Sequence, residues 1–215
     1  MSLGRNRIFL KSVARNFKRT GAVAPSSRSL GNAMICELVR NYRSPVRVLE
    51  VGGGTGNITE VIAGALRPED HLDVFEIDEE LSRVLRRRLA EDVCFAHVRS
   101  SVHVHNSPIE EIDRTSRYDY IISCLPFTCF QPAAVRQIFE VYRGILNPGG
   151  VCSFFEYILI RKAARFVSGS ALERTRVAGV GRIVEEYVKR YSYRRDLVFR
   201  NLPPAIVQHI RFTPD

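Results

Sequence analysis

From Val46 onward, short β-rich apolar runs alternate with longer stretches in which apolar residues return every three or four positions. The short runs predict strands over 46–51, 72–77, 102–105, 118–123 and 150–157, and the periodic stretches predict helices over 57–66, 79–90 and 132–146. Such alternation specifies a parallel sheet covered by helices on both faces. The segment "NPGG" (147–150) predicts a firm stop between the last of these helices and the fifth strand. Upstream, Phe9, Val13 and Phe17 recur every four residues with Leu10 and Ala14 beside them, and basic residues fill the other faces, so 5–19 reads as an amphipathic helix. Gly21 and Pro25 interrupt that pattern, and Ser27 or Ser29 is placed to cap a second helix running to about Asn41.

After Ile160 the alternation ends. Residues 168–182 are rich in Gly and Arg without a clear period and read as a loop with marginal helix, continuing into a helix near 183–190. The stretch 191–212 reads as two strands joined at Asn201–Pro204, antiparallel and at or near the sheet edge. No internal repeat is visible. The expected organisation is one domain, with an N-terminal helical cover over 1–43, a core over 44–160 and a basic loop, helix and hairpin over 161–215.

Composition narrows the class. The chain has 215 residues, 45% of them hydrophobic and 26% charged, which suits a folded domain with a proper core. Its apolar runs fall well short of the ~20 residues that a membrane-spanning helix requires. The net charge of +9 is unevenly placed: residues 1–20 carry +6, residues 21–156 carry −4, and residues 157–215 carry +7. Two basic ends flanking a mildly acidic middle imply contact with an anionic partner, a membrane surface or nucleic acid. A solvated basic surface is the plainer reading, since 28 of the 32 basic residues are Arg. The 5 cysteines include no CxxC pair and sit mostly in apolar runs, so reduced thiols are expected and no metal site. The N-terminus is too polar for a secretory signal, although its lack of acids before Glu37 leaves a mitochondrial transit peptide as an alternative to a cytoplasmic location.

The chemistry concentrates in "VRVLEVGGGTGNITEVI". An apolar strand ends at Glu50 and Val51, and Gly52, Gly54 and Gly56 lead straight into a helix, letting a ligand lie against bare backbone. A dinucleotide fingerprint requires Gly or Ala at position 57, which is Asn57 here. The acid two residues before the first glycine suits a cationic ligand without a pyrophosphate. Glu76 closes the next predicted strand, where a carboxylate accepts from ribose hydroxyls.

On these residues, 44–157 resembles the class I S-adenosylmethionine-dependent methyltransferases. The resemblance implies a Rossmann-like, seven-stranded α/β sheet, mostly parallel with an antiparallel C-terminal strand. It implies S-adenosylmethionine as cofactor and S-adenosylhomocysteine as product. It places Glu50 near the methionine amino group, Gly52, Gly54 and Gly56 against methionine and ribose, and Glu76 on the ribose, with Ile77 in the same cofactor-binding set. Asn106 and Ser107 fall where the family carries its adenine-binding acid, and Asn106 Oδ1 can still accept from the adenine amine. Ser123 and Leu125 complete the cofactor-side set. "LPF" in 125–127 is shared by ribosomal RNA adenine dimethylases and bacterial phospholipid N-methyltransferases. The former carry Asn at the position of Ser123, whereas "SCLP" is similar to the S-x-L-P of the phospholipid enzymes. "GAVAPSS" (21–27) and "NLPPAIV" (201–207) are similar to features of phosphatidylethanolamine N-methyltransferases. The chain also leaves little room after the sheet for the helical RNA-binding domain of the dimethylases.

The resulting expectation is N-methylation of phosphatidylethanolamine, towards phosphatidylcholine, by a protein peripherally bound to the inner face of the cell membrane. RNA adenine N6-methylation and a non-catalytic binding module are the alternatives. Tyr157 and Ser123 are the catalytic candidates, and His103 and His105 read more simply as packing residues. For the anionic phospholipid surface, the candidates are Phe9, Leu10, Val13 and Phe17 dipping into the acyl boundary, with Ser26, Ser27, Arg194, Arg195 and Arg200 on phosphate. An N-cap role explains Ser26 and Ser27 equally well.

Overall fold

The structure is a computed structural model that describes residues 27–43, 45–158 and 171–213. The N-terminal helix expected over 5–19, with Phe9, Leu10, Val13 and Phe17, lies outside the described residues, as does Ser26. Seven strands form one sheet: β1 (Arg47–Val51), β2 (His71–Phe75), β3 (Val102–His105), β4 (Tyr118–Ser123), β5 (Leu146–Tyr157), β6 (Ser192–Val198) and β7 (Ala205–Ile210). Their order is β3-β2-β1-β4-β5-β7-β6, parallel from β3 through β5, with β7 antiparallel to both β5 and β6. One face carries α1 (Arg28–Met34), α2 (Cys36–Arg40), α3 (Asn57–Ala63) and α4 (Glu79–Glu91), and the other carries α5 (Pro132–Ile145) and α6 (Ala171–Tyr191).

Side-chain alternation divides the core. In β1, Leu49 and Val51 join the α5/α6 cluster, and Val48 joins the α1/α3/α4 cluster. Both clusters hold fully buried Leu, Ile and Phe side chains, each contributing roughly 1.5–3 kcal/mol. Asp78 caps α4 by accepting from Glu80 N and Leu81 N. Ser27 caps α1, its hydroxyl accepting from Leu30 N at 3.2 Å, which is the N-cap role the sequence allows for it.

Three expectations need correcting. Residues 171–182 are helical, the first half of the 21-residue α6. Its apolar stripe of Val180, Ile183, Val184, Tyr187 and Tyr191 is obscured in sequence by Gly179, whose missing side chain permits close approach to α5: a Cβ there would lie 2.8 Å from Pro132 Cγ. The "NPGG" segment ends α5 as expected, yet β5 already begins at Leu146. Leu146 pairs with Tyr118 and Val151 with Tyr120, so 147–150 bulge out of the ladder. The terminal hairpin lies at the sheet edge as expected, with β6 outermost and β7 between it and β5. The second helix of the sequence reading is also divided, at Ile35.

Candidate active site

The carboxyl ends of β1 to β5 gather most of the singled-out residues on one edge of the sheet, where open α/β sheets bind ligands. At the end of β1, Gly52, Gly54 and Gly56 all have positive φ, of 84°, 56° and 89°. At Gly54 a Cβ would meet nothing within 4 Å, so the turn faces open space there. Gly53, which the sequence reading passed over, serves packing instead: a Cβ would stand 2.5 Å from Val74 Cγ1. Arg88 of α4 supports the turn from behind, donating to the Thr55 carbonyl at 2.9 Å and pairing with Glu60 at 2.7 Å.

Two buried carboxylates flank this turn in opposite states. Glu76, 6% exposed, accepts from Gly54 N and from Asp78 N, both at 2.8 Å. Burial still raises its pKa, with those backbone donors opposing the shift. Glu50 is fully buried, and neither carboxylate oxygen has a hydrogen-bond partner among the described residues. Burial pushes its pKa up to about 8, assisted by the charge of Glu76 and opposed by the nearby Thr59 hydroxyl, which stays outside hydrogen-bonding geometry. An orphaned acid inside a folded protein is costly unless a ligand supplies the missing partner. Open space at Gly54, an unpartnered Glu50 and a Glu76 with remaining acceptor capacity together fit a ligand with a cationic amine and a diol, as the methionine and ribose of S-adenosylmethionine provide.

The remaining cofactor-side residues stand around this centre. Asn106 is exposed at the end of β3, donating to the Glu76 carbonyl at 2.9 Å and leaving its own oxygen to accept. Ile77 and Leu125 are partly buried against the α5/α6 cluster, and Ser107 is partly buried beside Asn106.

The residues expected on the acceptor side follow β4 and β5. Ser123 is 1% exposed, and its hydroxyl accepts from Tyr142 at 2.9 Å on the α5 face. Cys124 N donates to the Val51 carbonyl at 2.7 Å, while the Cys124 carbonyl receives no main-chain hydrogen bond from the described residues. That carbonyl lies over the glycine turn, 3.5 Å from where a Gly52 Cβ would be. The Tyr157 hydroxyl makes no hydrogen bond among the described residues, and burial, with a smaller contribution from Cys124, pushes its pKa up to about 12. The phenol is therefore protonated at neutral pH. Burial also raises the Cys124 thiol well above its usual range, so it remains neutral. Arg176 of α6, not anticipated from sequence, fastens the loop after β4 by donating to the Thr128 and Phe130 carbonyls at 2.7 and 2.6 Å.

Other polar residues are taken up structurally. His105 Nε2 and His71 Nε2 lie 2.7 and 2.9 Å from the two oxygens of Asp73, Tyr118 donates to Asp73 at 2.8 Å, and His103 packs on His71. Arg194, expected on lipid phosphate, is instead held inside the molecule: it donates to Asp196 at 2.9 and 2.8 Å and to Glu37 at 3.1 Å. Arg195 is exposed. Cys36, Asp196 and His209 converge within 4.8 Å, a grouping of ligand types that sequence spacing does not reveal. With Arg194 on both Asp196 oxygens, the group ties α2 to β6 and β7 as an ion-pair cluster, and Ser153 meets His209 Nδ1 at 2.8 Å.

Residues 48–150 match the family model described as a methyltransferase domain. The chain is 29% identical over 143 residues to the ornithine lipid N-methyltransferase of Singulisphaera acidiphila, an alignment covering 66% of this chain and 73% of that protein. Among solved structures, an O-methyltransferase from Bacillus cereus in complex with SAH superposes with a TM-score of 0.65 at 18% identity, over 94% of this chain and 90% of that one. The O-methyltransferase TomG from Streptomyces achromogenes, in complex with SAM, gives 0.63 at 19% identity, over 95% and 90%. At these identities the structural likeness speaks to fold.

Proposed function

We propose that this chain, whose residues 48–150 match a methyltransferase domain, uses S-adenosylmethionine to methylate the primary amine of a lipid headgroup, that of phosphatidylethanolamine, at a membrane surface. The observation that carries this reading is the pair of neutral oxygens on the acceptor side. The open Cys124 carbonyl lies over the glycine turn, the protonated Tyr157 phenol is near enough to Cys124 to feel its charge, and an amine nitrogen is the group such a pair of neutral oxygens can hold. The similarity to a lipid N-methyltransferase supports a lipid amine over other amines. Among the described residues no helix is long and apolar enough to cross a membrane, which is consistent with peripheral attachment.

Bound against Glu50 and Glu76, the cofactor supplies an electrophilic methyl group on a sulfonium. The chain's own residues bind, orient and exclude water. An ammonium entering from the headgroup layer loses its proton to water, because the site's phenol and thiol are both neutral and His71 and His105 are committed to Asp73. Cys124 O then accepts an amine N–H and the Tyr157 oxygen a second, leaving the lone pair directed at the turn. Ser123, with its hydroxyl engaged by Tyr142, positions the strand end and leaves contact with the amine to its neighbours.

The test is transfer of a radiolabelled methyl group from S-adenosylmethionine to vesicles containing phosphatidylethanolamine and an anionic lipid, to ornithine lipid in the same vesicles, and to unmodified ribosomal RNA. Label in phosphatidylethanolamine is expected. Label confined to ornithine lipid corrects the headgroup, and label confined to RNA overturns the reading.

A further inference from the structure

The loop joining β6 to β7 has its burial inverted. Asn201, at its centre, is 1% exposed, whereas Phe199 and Leu202 around it are 70% and 77% exposed. The inversion is actively held. Asn201 Oδ1 accepts from Ser27 N at 3.0 Å, its Nδ2 donates to the Pro203 carbonyl at 2.8 Å, and Val198 and Ala205 at the loop's base are buried. Leu197, just before the loop, is 54% exposed. A polar anchor inside and large apolar groups outside is an arrangement that gains nothing in water and marks a surface meant to be covered.

Charge identifies the cover. Arg195 and Arg200 flank the apolar group, are exposed, and form no ion pair among the described residues. Asp196, next to Arg195 in the chain, has both oxygens on Arg194, Glu156 lies two strands away on β5, and no acidic residue occurs over 197–213. Aliphatic and aromatic side chains ringed by unpaired guanidinium groups match an anionic lipid interface, with an acyl boundary below and phosphates above. Topology supplies the orientation. Ala205 pairs with Tyr157, and Ile158 N donates to the Pro204 carbonyl at 2.9 Å, so the tip stands on the same sheet edge as Tyr157 and Cys124.

We infer that the β6–β7 tip is a membrane-docking element: Leu197, Phe199 and Leu202 enter the acyl boundary of an anionic bilayer while Arg195 and Arg200 meet lipid phosphates. The inference rests on the lipid-headgroup reading above and deepens it, because docking there sets the acceptor opening against the headgroup layer.

The chain has no tryptophan, so Phe199→Trp in the full-length protein places a single fluorophore at the tip. Val93→Trp, at a site 85% exposed beyond the end of α4, places one towards the opposite sheet edge. On adding vesicles of phosphatidylethanolamine and phosphatidylglycerol, the emission of Phe199→Trp shifts to the blue and that of Val93→Trp does not. A shift in neither, a shift in both, or a shift of Phe199→Trp with RNA but not with vesicles overturns the inference. In parallel, the double change Phe199→Ser and Leu202→Ser lowers vesicle partitioning about tenfold or more. Methyl transfer to a short-chain acceptor lipid dissolved as monomers is unchanged in that variant. Tip insertion without lipid methylation upholds docking and removes the substrate assignment; methylation of dissolved lipid without insertion does the reverse.

Discussion

The cofactor half of the active edge is assembled from neighbours in sequence: Glu50, the glycine turn and Glu76 end consecutive strands, and backbone amides satisfy one carboxylate while the other is left bare. The acceptor half is assembled from distant segments. Tyr157 stands where β5 meets Ala205, Arg176 of α6 fastens the loop after β4, and Asn201 joins the hairpin tip to the start of α1. One half binds through charge and bare backbone. The other offers neutral oxygens and an exposed apolar rim. On the proposed reading, a local motif fixes what the protein binds as cofactor, and long-range packing fixes what approaches it.

The strongest way to break the cofactor half alone is Gly54→Val. It forces a β-branched residue to φ near 56° and fills the space in front of the turn. Cofactor binding by calorimetry is expected to fall by about a hundredfold or more, equivalent to roughly 3 kcal/mol. Next, Glu50→Gln removes the anionic partner for a cationic amine, with an expected loss of about tenfold to a hundredfold in cofactor affinity. Its effect on the cofactor-free protein has the opposite sign. The Glu50 pKa is raised from 4.5 to about 8, so the folded state holds a proton that the unfolded state releases, and stability falls as pH rises through that window. Glu50→Gln lacks this loss, and its Tm should exceed that of the parent at pH 8.5 and converge with it near pH 4.

The acceptor half is probed by Tyr157→Phe, which removes one hydroxyl and should lower kcat on the lipid amine by about tenfold while leaving cofactor affinity unchanged. An equal loss of cofactor binding would dissolve the distinction between the halves. The smallest effect on chemistry is expected from Asn201→Ala. Ser27 N and the Pro203 carbonyl lose their partner, costing about 1–3 kcal/mol of stability by denaturant titration. Activity on a dissolved acceptor should survive.

The same division governs what could be read from the sequence. The glycine turn, Glu50 and Glu76 were legible because strand, turn and helix N-terminus follow one another, with spacing set by local geometry. The five parallel strands were legible for the same reason, through their apolar periodicity. The first half of α6 was not, since Gly179 breaks the helical pattern for the sake of contact with Pro132 on another helix. Neither was the fate of Arg194: an arginine in a basic segment looks free until folding brings Glu37 and Asp196 to it. The burial of Gln208 and His209 was likewise hidden, because two polar residues in a strand look exposed until β5 and β6 flank them, leaving them 6% and 0% exposed.

Glu50 also has a calorimetric consequence. A carboxyl that is protonated in the cofactor-free protein at neutral pH and ionised when it faces a cation must release a proton as the complex forms. The observed heat of cofactor binding would then vary linearly with the ionisation enthalpy of the buffer. The slope would approach one proton per site at pH 7 and vanish well above pH 8, where the carboxylate is already charged.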